Sequence, residues 1–72
     1  MMMYGVKGFQ ADAEAPSVVL KVRAPSPERA VSLASARPIA AGMRLEPVEI
    51  GGALPQEGVC YEGPWPWPGK AA

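Results

Sequence analysis

Hydrophobic and polar residues alternate along two early stretches of the chain, with the period of two that marks a strand. In "MYGVKGFQ", residues 3–10, Tyr4 and Val6 fall on one face while Met3, Lys7 and Phe9 fall on the other. In "SVVLKVR", residues 17–23, Val18, Leu20 and Val22 point one way and Val19, Lys21 and Arg23 the other. The β-branched content of this second stretch suits a pleated, half-buried surface. The polar segment "ADAEAP" separates the two, a spacing that predicts a hairpin.

The period then changes. "APSPERAVSLASAR" offers Ser26 as N-cap, Pro27 at the first helical position and Glu28 in the first turn, where its charge meets the positive end of the helix dipole. At about 100° per residue, Ala30, Val31, Leu33 and Ala34 share one face, and Glu28, Arg29, Ser32 and Ser35 the other. A face so rich in alanine lets the helix approach a sheet closely but gains little from burial. Pro38 predicts an end near Ala36, with Gly42 as the stop after a ragged last turn. "MRLEPVEI", residues 43–50, reads as a third strand whose apolar positions change phase at Pro47, from Met43 and Leu45 to Val48 and Ile50. A proline at such a shift predicts an edge strand or a bulge. Glu46 and Glu49 on that edge would discourage strand addition.

The predicted fold is therefore α+β. A ββαβ unit (antiparallel hairpin, one helix, third strand) fills residues 1–50, and an irregular proline- and glycine-rich aromatic tail fills residues 51–72. The run of strand, polar turn, strand, "VRAPSPERAVSLASA", a glycine and "MRLEPVEI" resembles the small ββαβ modules of bacterial secretion and pilus platform proteins. The resemblance spans about residues 4–50 and implies a fold without carrying an activity. The chain departs from those proteins in lacking their membrane helices, and "ARPIAA" adds residues where the helix of the modules ends.

"GGALPQEGVCYEGPWPWPGKAA" is too rich in glycine and proline for regular structure, apart from a short strand at "GVCYE". It nevertheless holds three of the five aromatic residues, Tyr61, Trp65 and Trp67, which is unlike a disordered end. "PWPWP" favours a polyproline II helix, in which Trp65 and Trp67 project about 120° apart. One reading has both rings clamp the domain's own sheet. The other makes Tyr61, Trp65 and Trp67 anchors for a partner, with Trp65 nearer the domain and Trp67 turned outward.

Composition narrows the choice. A chain of 72 residues makes one small domain, which buries only roughly 60% of its unfolded surface and is marginally stable without a staple. With one cysteine and no histidine, neither an internal disulfide nor a structural zinc site is available. Docking on a larger protein, or a homo-oligomer, is the natural source of the missing stability. Seven basic residues balance seven acidic ones, so the net charge argues against nucleic acid or anionic lipid as partner. The apolar runs are too short to insert in a membrane, and the opening residues lack the basic and apolar regions of a secretory leader. A cytoplasmic location is the expectation.

Candidate chemistry is sparse. The absence of histidine excludes Ser-His and Cys-His catalysis and histidine-bound metals. Cys60 sits beside Tyr61 and Glu62, neither of which would lower its pKa, and reads as a small buried hydrophobe. "GVKG" and "IGG" lack the spacing of a phosphate loop. No catalytic residue, cofactor or metal is therefore expected. Lys7, Lys21 and Arg23 gather on one hairpin face, read beside Phe9 and Tyr4, a faint echo of a nucleic-acid platform. The expected function is a non-catalytic accessory or interaction subunit that docks on a larger protein assembly, partly through its aromatic tail. The alternatives are a small regulator or inhibitor of mobile-element type that blocks an enzyme, and a nucleic-acid-binding module.

Overall fold

The two alternating stretches pair with each other. In the computed structural model, which describes residues 1–52 and 55–65, β1 (Met2–Phe9) and β2 (Val18–Ala24) form an antiparallel hairpin. Tyr4 lies opposite Val22 and Val6 opposite Leu20, so the two apolar faces coincide. The hairpin is closed by the Ser17 N–H, which donates to the Gly8 carbonyl at 2.8 Å. α1 (Pro27–Ser35) follows, then a 3-10 turn at Pro38–Ala40, β3 (Arg44–Gly52) and β4 (Gly58–Pro64). The four strands form one antiparallel sheet in the order β3-β1-β2-β4, so the hairpin is central and the two later strands are its edges.

α1 covers one side of this sheet. Val6, Leu20 and Val22 are fully buried beneath Ala30 and Ala34, which are themselves fully buried. Met2, Leu33, Ile39, Met43, Leu45 and Val59 close the margins of this core. The small alanine face brings the helix close, and the large aliphatic side chains of the hairpin fill the space between the layers. Gly8 continues the same side of β1; its missing side chain leaves the room that Val18, Met43 and Leu45 occupy.

The helix begins as its sequence dictates. The Ser26 Oγ accepts a hydrogen bond from the Arg29 N–H at 3.1 Å, with Pro27 and Glu28 in the first turn. Ser26→Ala is expected to cost about 0.5–2 kcal/mol, read as a lower midpoint in thermal unfolding. An unchanged midpoint would show that this hydrogen bond adds nothing to the helix. The helix ends at Ser35, and the chain turns into β3 through Gly42, whose φ of +73° suits a residue without Cβ.

β3 is an edge strand, and it does change apolar phase. Leu45 faces the helix layer, whereas Val48 and Ile50 are 43% and 41% exposed. The ladder is irregular not at Pro47 but where Tyr4 pairs with Glu49 and Met3 with Gly51, leaving Ile50 as the extra residue.

In the segment expected to be irregular from residue 51, the short strand expected at "GVCYE" is present, extends to Pro64 and joins the sheet as its fourth strand. Beside β4, Val22 lies opposite Val59, Lys21 opposite Tyr61 and Val19 opposite Gly63, with Cys60 extra in a bulge. Glycine and proline argue against a strand by propensity, but a ladder is built from backbone groups, and glycine supplies those as well as any residue. Without β4 the outer edge of the very apolar β2 would be left unpaired. Two bidentate ion pairs tie β4 to the helical layer: Arg29 to Glu57 at 2.7 and 3.0 Å, and Arg37 to Glu62 at 2.7 and 3.4 Å. These hydrogen bonds hold Glu57 and Glu62 below the ordinary carboxylate range. Both pairs are partly exposed, so water screens much of their attraction. Among the described residues, no helix is long and apolar enough to cross a membrane.

Candidate functional site

With α1 on one side, no helix lies over the other side of the sheet among the described residues. Alternation sends Met3, Lys7 and Phe9 of β1 to this open face, together with Val19, Lys21 and Arg23 of β2. Tyr4, read from sequence beside these cations, belongs to the opposite side, where it is buried in the core. β3 adds Arg44 and Glu46, which stand opposite Phe9 and Lys7, and β4 adds Tyr61 and Gly63.

Several of these side chains are already organised. The Arg44 guanidinium lies 4.7 Å from the centre of the Phe9 ring, and the Lys7 Nζ lies 5.3 Å from that of Trp65. The Trp65 N–H donates to the Ser17 carbonyl at 3.1 Å, which extends the β4 edge by one residue. Trp65 is thus held beside the hairpin by its backbone and by Lys7. Trp67 lies outside the described residues. Val19 is fully buried although it belongs to this face, between Lys7 on one neighbouring strand and Gly63 on the other.

Tyr61 owes its position to a glycine. A Cβ placed on Gly63 would stand 2.9 Å from the Tyr61 Cζ and closer still to the hydroxyl. The end of the phenol ring therefore lies down over Gly63, in space that any other residue would fill. Cys60 is exposed, contrary to its expected role as a buried hydrophobe. The bulge turns it toward the open face, where its thiol donates to the Lys21 carbonyl at 3.4 Å and lies 3.7 Å from the Met3 Sδ. Neither contact is a base that would activate a thiol. Along the outer side of β4, Arg37, Val59, Cys60, Tyr61 and Glu62 line an open depression of about 320 Å³.

Alternation in the sequence places Lys7, Lys21 and Arg23 on one face; Arg44 beside them and the carboxylates behind them are what sequence reasoning missed. Among the described strand residues, Lys7, Lys21, Arg23 and Arg44 share the open face with a single carboxylate, Glu46, which lies 3.5 Å from Arg44. On the helical side, Arg29 and Arg37 meet Glu28, Glu49, Glu57 and Glu62. A zero net charge therefore conceals a basic sheet face backed by an acidic layer. Arg44 could have been placed by extending the alternation of β3 back from Val48. The carboxylates could not, because Glu57 and Glu62 acquire a side only when β4 pairs.

Among the described residues, no group of three or more Cys, Asp or Glu side chains is placed to hold a metal ion. The arrangement offers cations and aromatic rings on a flat surface, which is equipment for binding. Comparison with protein-family models, with curated proteins and with solved structures yields no match, so what this face is for rests on its own geometry.

Proposed function

We propose that the chain is a non-catalytic interaction subunit that docks on a larger, anionic partner through the open face of its sheet. The observation that carries this reading is the segregation of charge, four cations to one carboxylate on a face that also presents Tyr61 and borders Trp65. Aromatic and basic side chains together are the residue types that dominate recognition surfaces. The reading keeps the accessory role expected from sequence but moves the contact surface from the tail to the sheet, with Tyr61 and Trp65 at its border. A non-catalytic role is supported by the surroundings of Cys60, whose contacts are a carbonyl and a thioether.

Site-specific photo-crosslinking in the native cell tests this. A benzophenone side chain in place of Val48, exposed beside Gly5 on the open face, is expected to give a discrete adduct. The same group in place of Ser32, exposed on the helix, is expected to give none. Adducts from Ser32 alone would place the contact surface on the other layer and overturn the reading.

A further inference from the structure

We propose that the partner of the open face is single-stranded nucleic acid, held by phosphate contacts to Lys7, Lys21 and Arg23 and by a base stacked on Tyr61. This rests on the reading of that face as the docking surface and names what it takes.

Lys21 and Arg23 are two residues apart on β2, so their side chains leave the sheet about 6.7 Å from each other. Lys7 stands on the adjacent strand opposite Val19, one step further along the same face. The three cations thus form a band across the centre of the sheet rather than a cluster at one point. The Nε of Arg23 is shielded and has no hydrogen-bond partner among the described residues, so a phosphate would be met by the terminal nitrogens of its guanidinium.

Tyr61 flanks the band directly, opposite Lys21. The end of its ring lies over Gly63 and the residue is half-buried, so it lies at the surface beside the band, where an aromatic side chain can receive an unstacked base. That combination favours a nucleic acid over an acidic protein, because a single strand carries a planar base beside every phosphate, whereas an acidic protein meets the ring only where it also holds an aromatic or arginine side chain. It also separates single strands from duplexes, whose bases are stacked on one another and whose grooves admit a helix or a narrow ribbon rather than the face of a four-stranded sheet.

Fluorescence anisotropy with the full chain decides the matter. The probes are a labelled single strand of about twelve thymidines, the corresponding duplex, and labelled polyglutamate. The single strand is expected to bind best. Its log affinity should fall with log salt at a slope of about −2, since each phosphate contact to a single strand contributes roughly −0.7. Lys21→Gln is expected to reduce that slope by about 0.7. Tyr61→Leu should weaken binding about tenfold with the slope unchanged, because stacking releases no counterions. Gly63→Ala, which removes the bed of the ring, should reproduce the loss seen with Tyr61→Leu. Circular dichroism identifies any variant that fails to fold, and Lys21→Gln, at a half-exposed position, keeps the test open if a Tyr61 or Gly63 variant does. A preference for duplex, or single-strand binding indifferent to Lys21→Gln and Tyr61→Leu, would overturn the inference. Binding of polyglutamate alone, lost in Lys21→Gln, would overturn it while leaving the docking face in place. Failure of every polyanion would remove both.

Discussion

Leu20→Ala is expected to remove most of the stability of this protein. Leu20 is fully buried and has the largest side chain among the fully buried residues, on a strand flanked by neighbours on both edges. The layer above it presents Ala30 and Ala34, which have no side chain long enough to collapse into the space left behind. Truncation of a buried leucine costs about 2–5 kcal/mol, and the upper part of that range applies where a site cannot relax. A chain of 72 residues has about 4–11 kcal/mol in total at the usual stability per residue. In equilibrium urea unfolding followed by circular dichroism, the midpoint should fall by half or the folded baseline disappear. Val48→Ala, at an exposed position, should leave the unfolding free energy within about 0.5 kcal/mol of the parent and the midpoint nearly unchanged. Similar midpoints for the two variants would mean that the core does not lie between the helix and the hairpin.

The second large effect is expected from the addition of one methyl group. Gly8→Ala would place a Cβ 2.7 Å from the Val18 Cγ2 and 3.0 Å from the Met43 Sδ. Met43 can move, but the branched side chain of Val18 is held in its rotamer by the strand. Overpacking of this kind costs about 1–3 kcal/mol, which outweighs the gain that replacing a strand glycine would otherwise bring. Gly52→Ala is the matched control, because nothing lies within 4 Å of a Cβ there. It should be neutral or stabilising by up to about 1 kcal/mol through the unfolded chain. Opposite signs for the two alanine variants are the expected result. A stabilised Gly8→Ala would show that Val18 and Met43 can move aside without loss.

The readable parts of the sequence were those governed by local rules. Alternation assigned the sides of Val6, Leu20, Lys7 and Lys21 because the pleat leaves a strand no other choice. Ser26 announced its helix because a cap needs only its own three following residues. What was not legible depended on residues distant in the chain. The strand at "GVCYE" was legible but its place was not: β4 pairs where β2 had an unpaired edge, and no property of residues 58–64 alone records that. Cys60 faces water because the bulge falls at its position. Alternation brought Lys7, Lys21 and Arg23 together, but a zero net charge hid the acidic layer behind them: a sum over the chain discards direction, and only the sheet gives Arg44 and the carboxylates a side.

That separation of charge fixes how the molecule meets a charged surface. With equal numbers of basic and acidic residues, it has no monopole to draw it in from afar. What it has is a dipole moment directed through the thickness of the sheet, whose field dies away faster with distance than that of a net charge. Within about one Debye length, roughly 8–10 Å in physiological salt, the moment turns the molecule sheet-first toward negative charge. Added salt then shortens the lifetime of a complex far more than it slows the encounter.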